Sequence, residues 1–257
     1  MTTEEELLAK ILASPYGDES RKQVAALLEA RGDPRGEFIR VQMKLLDGYV
    51  RERLPDDFGA LVDRETKLLA EHGDEWSREV KPLVDRLHFD RGFVDEVSLS
   101  ADAFLDRAEA IYRVAPVIHL NLTGVKGRAK ELFASPHLGR IRALNLAEND
   151  LGDEGVAELA GSPHLGKLRW LSLRRNGITG VGAEALVASP NLPDLKYVDF
   201  SGNDGDPTDS PGAMDGMEIL EWHEGPGSLL EKKYGPRPWL HYRVSNDLFR
   251  FPRMGAV

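Results

Sequence analysis

In the second half of the chain, apolar positions recur at fixed intervals. Against the pattern LxxLxLxxNxL, the best copies are IRALNLAENDL (141–151) and LRWLSLRRNGI (168–178), and LKYVDFSGNDG (195–205) fits until its last position. VIHLNLTGV (117–125) is a shorter copy without the asparagine, and VDEVSLSADAF (94–104) has Asp102 in its place. Asn149, Asn176 and Asn203 stand 27 residues apart, and so do the triplets that begin at Ser135, Ser162 and Ser189. A period of this size predicts a solenoid, in which each unit buries its apolar face only against its neighbours. The alternating Leu residues predict one short strand per unit, their side chains stacking inward. The asparagine bends the chain out of the strand, where its amide can satisfy backbone groups of the turn. DEGVAELAG and GVGAEALVA carry Val, Ala and Leu at three- and four-residue spacing and predict helices on the convex side. The fold class expected is therefore α/β: a solenoid with parallel strands on its concave face and helices on its convex side.

The first half has a helical period instead. Thr3 caps a run in which Leu7, Leu8, Ile11 and Leu12 share a face, and Pro15 ends it. Ser20 is placed to cap a second helix with Val24, Leu27 and Leu28 inward and Gly32 closing it. RGDPRG reads as a sharp turn. A third helix is expected from about Glu37, with Phe38, Val41, Leu45 and Leu46 apolar, and a fourth after Asp56-Asp57, ending at His72-Gly73. Trp76, Pro82, Leu83 and Leu87 are expected to pack the junction with the repeats. Beyond Asn203 the rhythm fails: GDPTDSPGAMDG reads as an inserted loop, SLLEKKYG (228–235) as a displaced helix, and PRPWLHY as a cover for the open end. The expected organisation is a helical capping domain over 1–90, repeats over 91–205, and a C-terminal loop, helix and cap over 206–257.

EEELLAKILASP, ALLEARGDPRGEFIRVQ, RETKLLAEHGDEW and FDRGFVDEVSLSADAFLDRAEAIYRVAPV together resemble bacterial repeat-companion domain proteins that carry leucine-rich repeats. The resemblance covers nearly the whole chain, and RGDPRGEFIR is its most specific element. It implies a helical N-terminal module capping a solenoid, and it implies no established chemistry. The repeats themselves resemble the ribonuclease-inhibitor class.

Composition narrows the function. The 257 residues carry a formal charge of −10, which disfavours general nucleic-acid binding and would suit a basic protein partner. A second reading is thus an inhibitor or regulatory subunit of a basic protein. Without cysteine there is neither a disulfide framework nor a thiolate site. No stretch has the apolar length of a membrane span, and the acidic start MTTEEELLAK lacks a secretory signal, so a cytoplasmic location is expected.

Strand alternation names the concave positions. One column is Glu96, His119, Ala143, Trp170 and Tyr197; the next is Ser98, Asn121, Asn145, Ser172 and Asp199; the third is Ser100, Thr123, Ala147, Arg174 and Ser201. Trp170 and Tyr197 with Arg174, Arg175 and Asp199 have the composition of a binding hot spot. His119, Asn145, Glu148 and Ser172 complete the candidate partner-binding set, whose ligand is expected to be a protein. Asn149, Asn176 and Asn203 are expected to be buried structural residues. For catalysis, His223 lies between Glu221 and Glu224, and His241 follows downstream, but neither has a nucleophile elbow near it in sequence. A hydrolase or metal-assisted enzyme using the His223–His241 region is the reading from a different class. No metal or cofactor motif is found, and the expectation is a non-enzymatic interaction module. The basic, aromatic tail LHYRVSNDLFRFPRMGAV is read either as a cover on the last coil or as a docking segment.

Overall fold

A computed structural model describes residues 3–50, 53–207 and 226–241. Their contacts divide them into two compact units, one built from 3–99 with 106–120 and the other from 100–105 with 121–241.

The first unit opens with four helices, α1 (Glu4–Ala13), α2 (Glu19–Glu29), α3 (Pro34–Val50) and α4 (Phe58–Trp76). Thr3 caps α1 reciprocally: its hydroxyl accepts from the Glu6 N–H at 3.2 Å, and the Thr3 N–H donates to the Glu6 carboxylate at 3.0 Å. Ser20 lies inside α2, whose N-cap position is held by Asp18 without a side-chain bond, which corrects the expected cap. The α2–α3 turn works as GDPRG suggests. Gly32 closes α2 at φ +72°, Asp33 accepts from the Arg35 N–H at 2.9 Å, and Pro34 takes the first helical position, where its missing N–H is not needed. Helix α3 therefore starts three residues before Glu37. Leu7, Ile11, Val24, Ala25, Leu28, Ile39 and Phe93 form one buried cluster. Phe38 stacks on Trp76 with centroids 4.8 Å apart and meets Phe89 edge-on at 5.6 Å.

A hairpin not expected from the repeats follows. β1 (Arg86–Asp90) pairs antiparallel with β2 (Phe93–Ser100), so the first repeat strand has an antiparallel neighbour. Arg91 and Gly92 form its two-residue turn, both in the left-handed region at φ 49° and 81°. A Cβ at Gly92 would stand 2.1 Å from Ile39 Cγ1, so the hairpin tip touches α3 as only glycine allows. Gln42 clasps it, accepting from the Gly92 N–H at 2.7 Å and donating to the Phe89 carbonyl at 3.0 Å. Arg91 is fully buried and contacts Asp18 at 3.0 Å, Asp90 at 3.1 Å and Asp95 at 3.7 Å. Buried Arg21 sits over the Phe93 ring and donates to the Gly17 carbonyl at 2.7 Å. Burial pushes the Asp95 carboxyl well above the usual carboxylate range, Asp90 adds to the push, and Arg91 and Arg21 oppose it.

In chain order α5 (Ala101–Val114), β3 (His119–Thr123) and α6 (Ala129–Phe133) come next. The second unit holds the remaining coils. β4 (Ala143–Asn145), β5 (Trp170–Ser172) and β6 (Tyr197–Asp199) are parallel, with Ala143 opposite Trp170 and Trp170 opposite Tyr197, one repeat apart. Leu144, Leu146, Leu171, Leu173, Val198 and Phe200 are buried on the inner side. The helices α7 (Gly152–Ala160) and α8 (Gly180–Ala188) alternate with these strands, with Val156, Leu159, Ala183, Leu186 and Val187 buried. This is the expected mixed α/β repeat, parallel strands alternating with helices. The Ser-Pro turns join coil to coil: the Ser162 hydroxyl donates to the Phe133 carbonyl at 2.6 Å and the Ser189 hydroxyl to the Ala160 carbonyl at 2.5 Å. After the last strand, α9 (Pro226–Tyr234) and a 3-10 turn at Pro238–His241 pack on the unit. Trp239 is buried with its ring centroid 5.8 Å from that of Phe200, and Tyr234 and Lys233 both bond Glu184 of α8. The helix expected over SLLEKKYG overlaps α9, and Pro238–His241 of PRPWLHY forms the 3-10 turn.

Candidate functional site

The asparagines form a ladder through the second unit. Asn176 Oδ1 accepts from the N–H groups of Asn149 (3.0 Å) and Leu151 (3.2 Å), while its Nδ2 donates to the carbonyls of Leu146, Leu173 and Arg174 at 2.8, 2.9 and 3.1 Å. Asn203 repeats this one coil on, accepting from the Asn176 and Ile178 N–H groups at 2.8 and 3.1 Å. Asn149 does the same one coil back, accepting from the Val125 N–H at 3.0 Å and donating to the Leu122 carbonyl at 2.8 Å. All three are buried and their bonds are backbone bonds, so their work is structural.

The ladder holds the turn after each strand and so fixes what precedes it. Trp170 and Tyr197, opposite each other across β5 and β6, stack with centroids 3.8 Å apart and planes 17° from parallel. Both rings are half-buried, a partial exposure that leaves apolar area at the surface. Arg174 is half-buried, two alternations on from Trp170. Arg175 is exposed, with φ at 51°, and its guanidinium meets the exposed Glu148 carboxylate of the previous coil at 3.3 Å. Asn145 is half-buried and accepts from the Ala147 N–H at 3.0 Å, a turn-forming bond.

Three expected surface positions are instead buried. His119 is 5% exposed, Ser172 2% and Asp199 3%, so they do not offer themselves to a partner. Asp199 accepts from the Ser201 N–H at 2.9 Å and from the Ser172 hydroxyl at 3.5 Å, which ties the two short side chains to each other. Glu221, His223 and Glu224 lie outside the described residues, as do most of the 204–216 loop and the tail from 242 onward. Among the described residues, no group of His, Cys, Asp or Glu is placed to hold a metal ion, and no helix is long and apolar enough to cross a membrane.

Sequence reasoning missed a concavity in the first unit. A cleft of about 670 Å³ is lined by Arg31, Arg35 and Arg78 together with Glu4, Asp33 and Glu75, so charges of both signs line it. The position of RGDPRG between two helical faces was the available signal.

No curated protein matches the chain. Residues 141–160 and 167–187 match the Leucine Rich repeat family, the same two coils whose strands β4 and β5 and helices α7 and α8 carry the asparagine ladder and Trp170.

Proposed function

We propose that this protein is a non-enzymatic interaction module that binds a protein partner on the concave side of its C-terminal coils, around Trp170 and Tyr197. Leucine-rich repeats suggest protein binding in general. The observation that carries the narrower reading is the stacked, half-buried ring pair, which neither fills the interior nor is polar enough to prefer water. Large rigid rings bury area at small entropic cost, and arginine adds several donors at once, which is why both concentrate binding energy. Asn145, Glu148, Arg174 and Arg175 border the rings. The N-terminal helical unit takes the companion role that its sequence resemblance implies.

Hydroxyl-radical footprinting of the chain, alone and with a partner co-purified from its native cell, tests the location. Oxidation of Trp170 and Tyr197 is expected to fall on binding, while that of exposed Leu54 and Leu229 stays unchanged. Protection elsewhere with these two rings unaffected would move the interface.

A further inference from the structure

We infer that the partner segment received by the Trp170–Tyr197 face is acidic, an inference that rests on the concave-face reading above. The protein's charge of −10 invites the opposite expectation, but charge is not evenly spread. Between Glu158 and Glu184 there is no acidic residue, while Lys167, Arg169, Arg174 and Arg175 fall in that interval. The interval contains β5 and both of its ends.

These cations flank the rings along the chain. Arg169 and Lys196 immediately precede Trp170 and Tyr197, and the Lys196 and Tyr197 N–H groups both donate to the Arg169 carbonyl at 3.0 Å, which holds the two cationic residues in register. Adjacent parallel strands lie roughly 4.8 Å apart. Like charges opposite each other on such a pair are unfavourable, so the pairing of Arg169 with Lys196 does not stabilise the sheet. Arg174 stands at the other end of β5. Other cations of the same unit meet carboxylates: Lys126 with Asp150 at 2.8 Å, Arg128 with Asp102 at 3.0 Å, Arg175 with Glu148 at 3.3 Å. Among the described residues, Arg169, Arg174 and Lys196 have no carboxylate within 4.0 Å, and Arg169 Nη1 is buried without a hydrogen-bond partner. The nearby carboxylate of Asp199 is occupied by Ser172 and the Ser201 N–H.

Two stacked rings, flanked along the chain by three cations that meet no carboxylate among the described residues, fit an extended polypeptide bearing Asp or Glu beside an apolar or aromatic residue. Carboxylates would be shared among Arg169, Lys196 and Arg174, Arg binding them bidentately, while the apolar residue covers the rings. A single-stranded nucleic acid also likes rings and cations, but its dense phosphate charge would meet the field of a strongly acidic protein. The acidic peptide is favoured.

Selection of an unbiased phage-displayed peptide library on the immobilised full chain tests this, alongside titration with labelled oligothymidylate. The expected result is enrichment of Asp- and Glu-rich peptides whose capture needs Trp170 and weakens as sodium chloride is raised. Their affinity should fall about tenfold or more in Arg169→Glu and in Lys196→Glu, and be largely kept in Arg169→Lys. Lys196 is exposed, so that variant keeps the test valid if Arg169→Glu does not fold. Peptides that need Trp170 but are neutral or basic, or are indifferent to charge reversal, would overturn the inference and leave the concave-face reading standing. Enrichment that is independent of Trp170, or none at all, would overturn both. Tighter binding of oligothymidylate than of any acidic peptide would assign the patch to nucleic acid and overturn the inference.

Discussion

At the scale of single residues, the asparagines show how one amide can do several jobs. Asn176 serves two N–H donors and three carbonyls drawn from its own turn and from the coil before it. An alanine there would leave these buried groups without their partner, at a cost of about 1–3 kcal/mol. Urea unfolding of Asn176→Ala is expected to show a midpoint shifted down accordingly, and an unchanged midpoint would contradict the ladder. The recurrence of Asn at a fixed interval made this role legible before any coordinates. What alternation along a strand does not reveal is depth. Ser172 and Asp199 were legible as concave positions, yet they are buried and bonded to each other. Trp170 and Tyr197 were legible because a large ring at such a position cannot be hidden by a short neighbour.

Among the elements, the β1–β2 hairpin and the C-terminal cover depend on contacts remote in sequence. The dipeptide Arg-Gly between RLHFD and FVDEV is a hairpin signal, but a weak one, since arginine is not a usual left-handed residue. Its conformation is held by partners far upstream: Arg91 donates to Asp18 at 3.0 Å and to the Tyr16 carbonyl at 3.2 Å. Such support cannot be read from local pattern, which is why the strand at Arg86–Asp90 was missed while the four helices before it were found. The buried acid in this network has a consequence for pH. The folded-state pKa of Asp95 lies above its ordinary value of 3.8, so the native state holds the proton more tightly than the unfolded chain does. The associated stability is complete below that value and is lost as pH rises from it through the folded-state pKa. Comparing urea midpoints of the natural protein and Asp95→Asn, the variant should gain relative stability steadily as pH rises from that value. A difference that stays constant with pH would contradict it. At the other end, Trp239 of the 3-10 turn packs beside Phe200. Trp239→Ala is expected to cost about 3–5 kcal/mol and to speed amide exchange in β6. A thermal midpoint equal to that of the natural protein would show that the cover is dispensable.

Taken as a whole molecule, the chain was most legible where it repeats. A fixed interval constrains strand, turn and helix at once, so the parallel strands and alternating helices followed from spacing alone. The N-terminal helices followed from apolar periodicity, with errors only at their ends, where the cap at Asp18 and the start at Pro34 depend on geometry rather than on residue type. Function is less legible, because a repeat's surface residues answer to a partner that the chain does not contain. Net charge pointed toward a basic partner, whereas Arg169, Arg174 and Lys196, which meet no carboxylate among the described residues, flank in sequence the very rings proposed to bind. Local charge at a patch governs its partner more directly than the sum over the chain, because screening in salt confines such interactions to about 10 Å. The central claim is that binding energy is concentrated on the stacked rings. Isothermal titration of the co-purified partner against the natural protein, Trp170→Ala and the control Thr123→Ala tests it most directly. The account predicts a loss of about 2 kcal/mol or more for Trp170→Ala with Thr123→Ala unchanged; equal, negligible effects of both would contradict it.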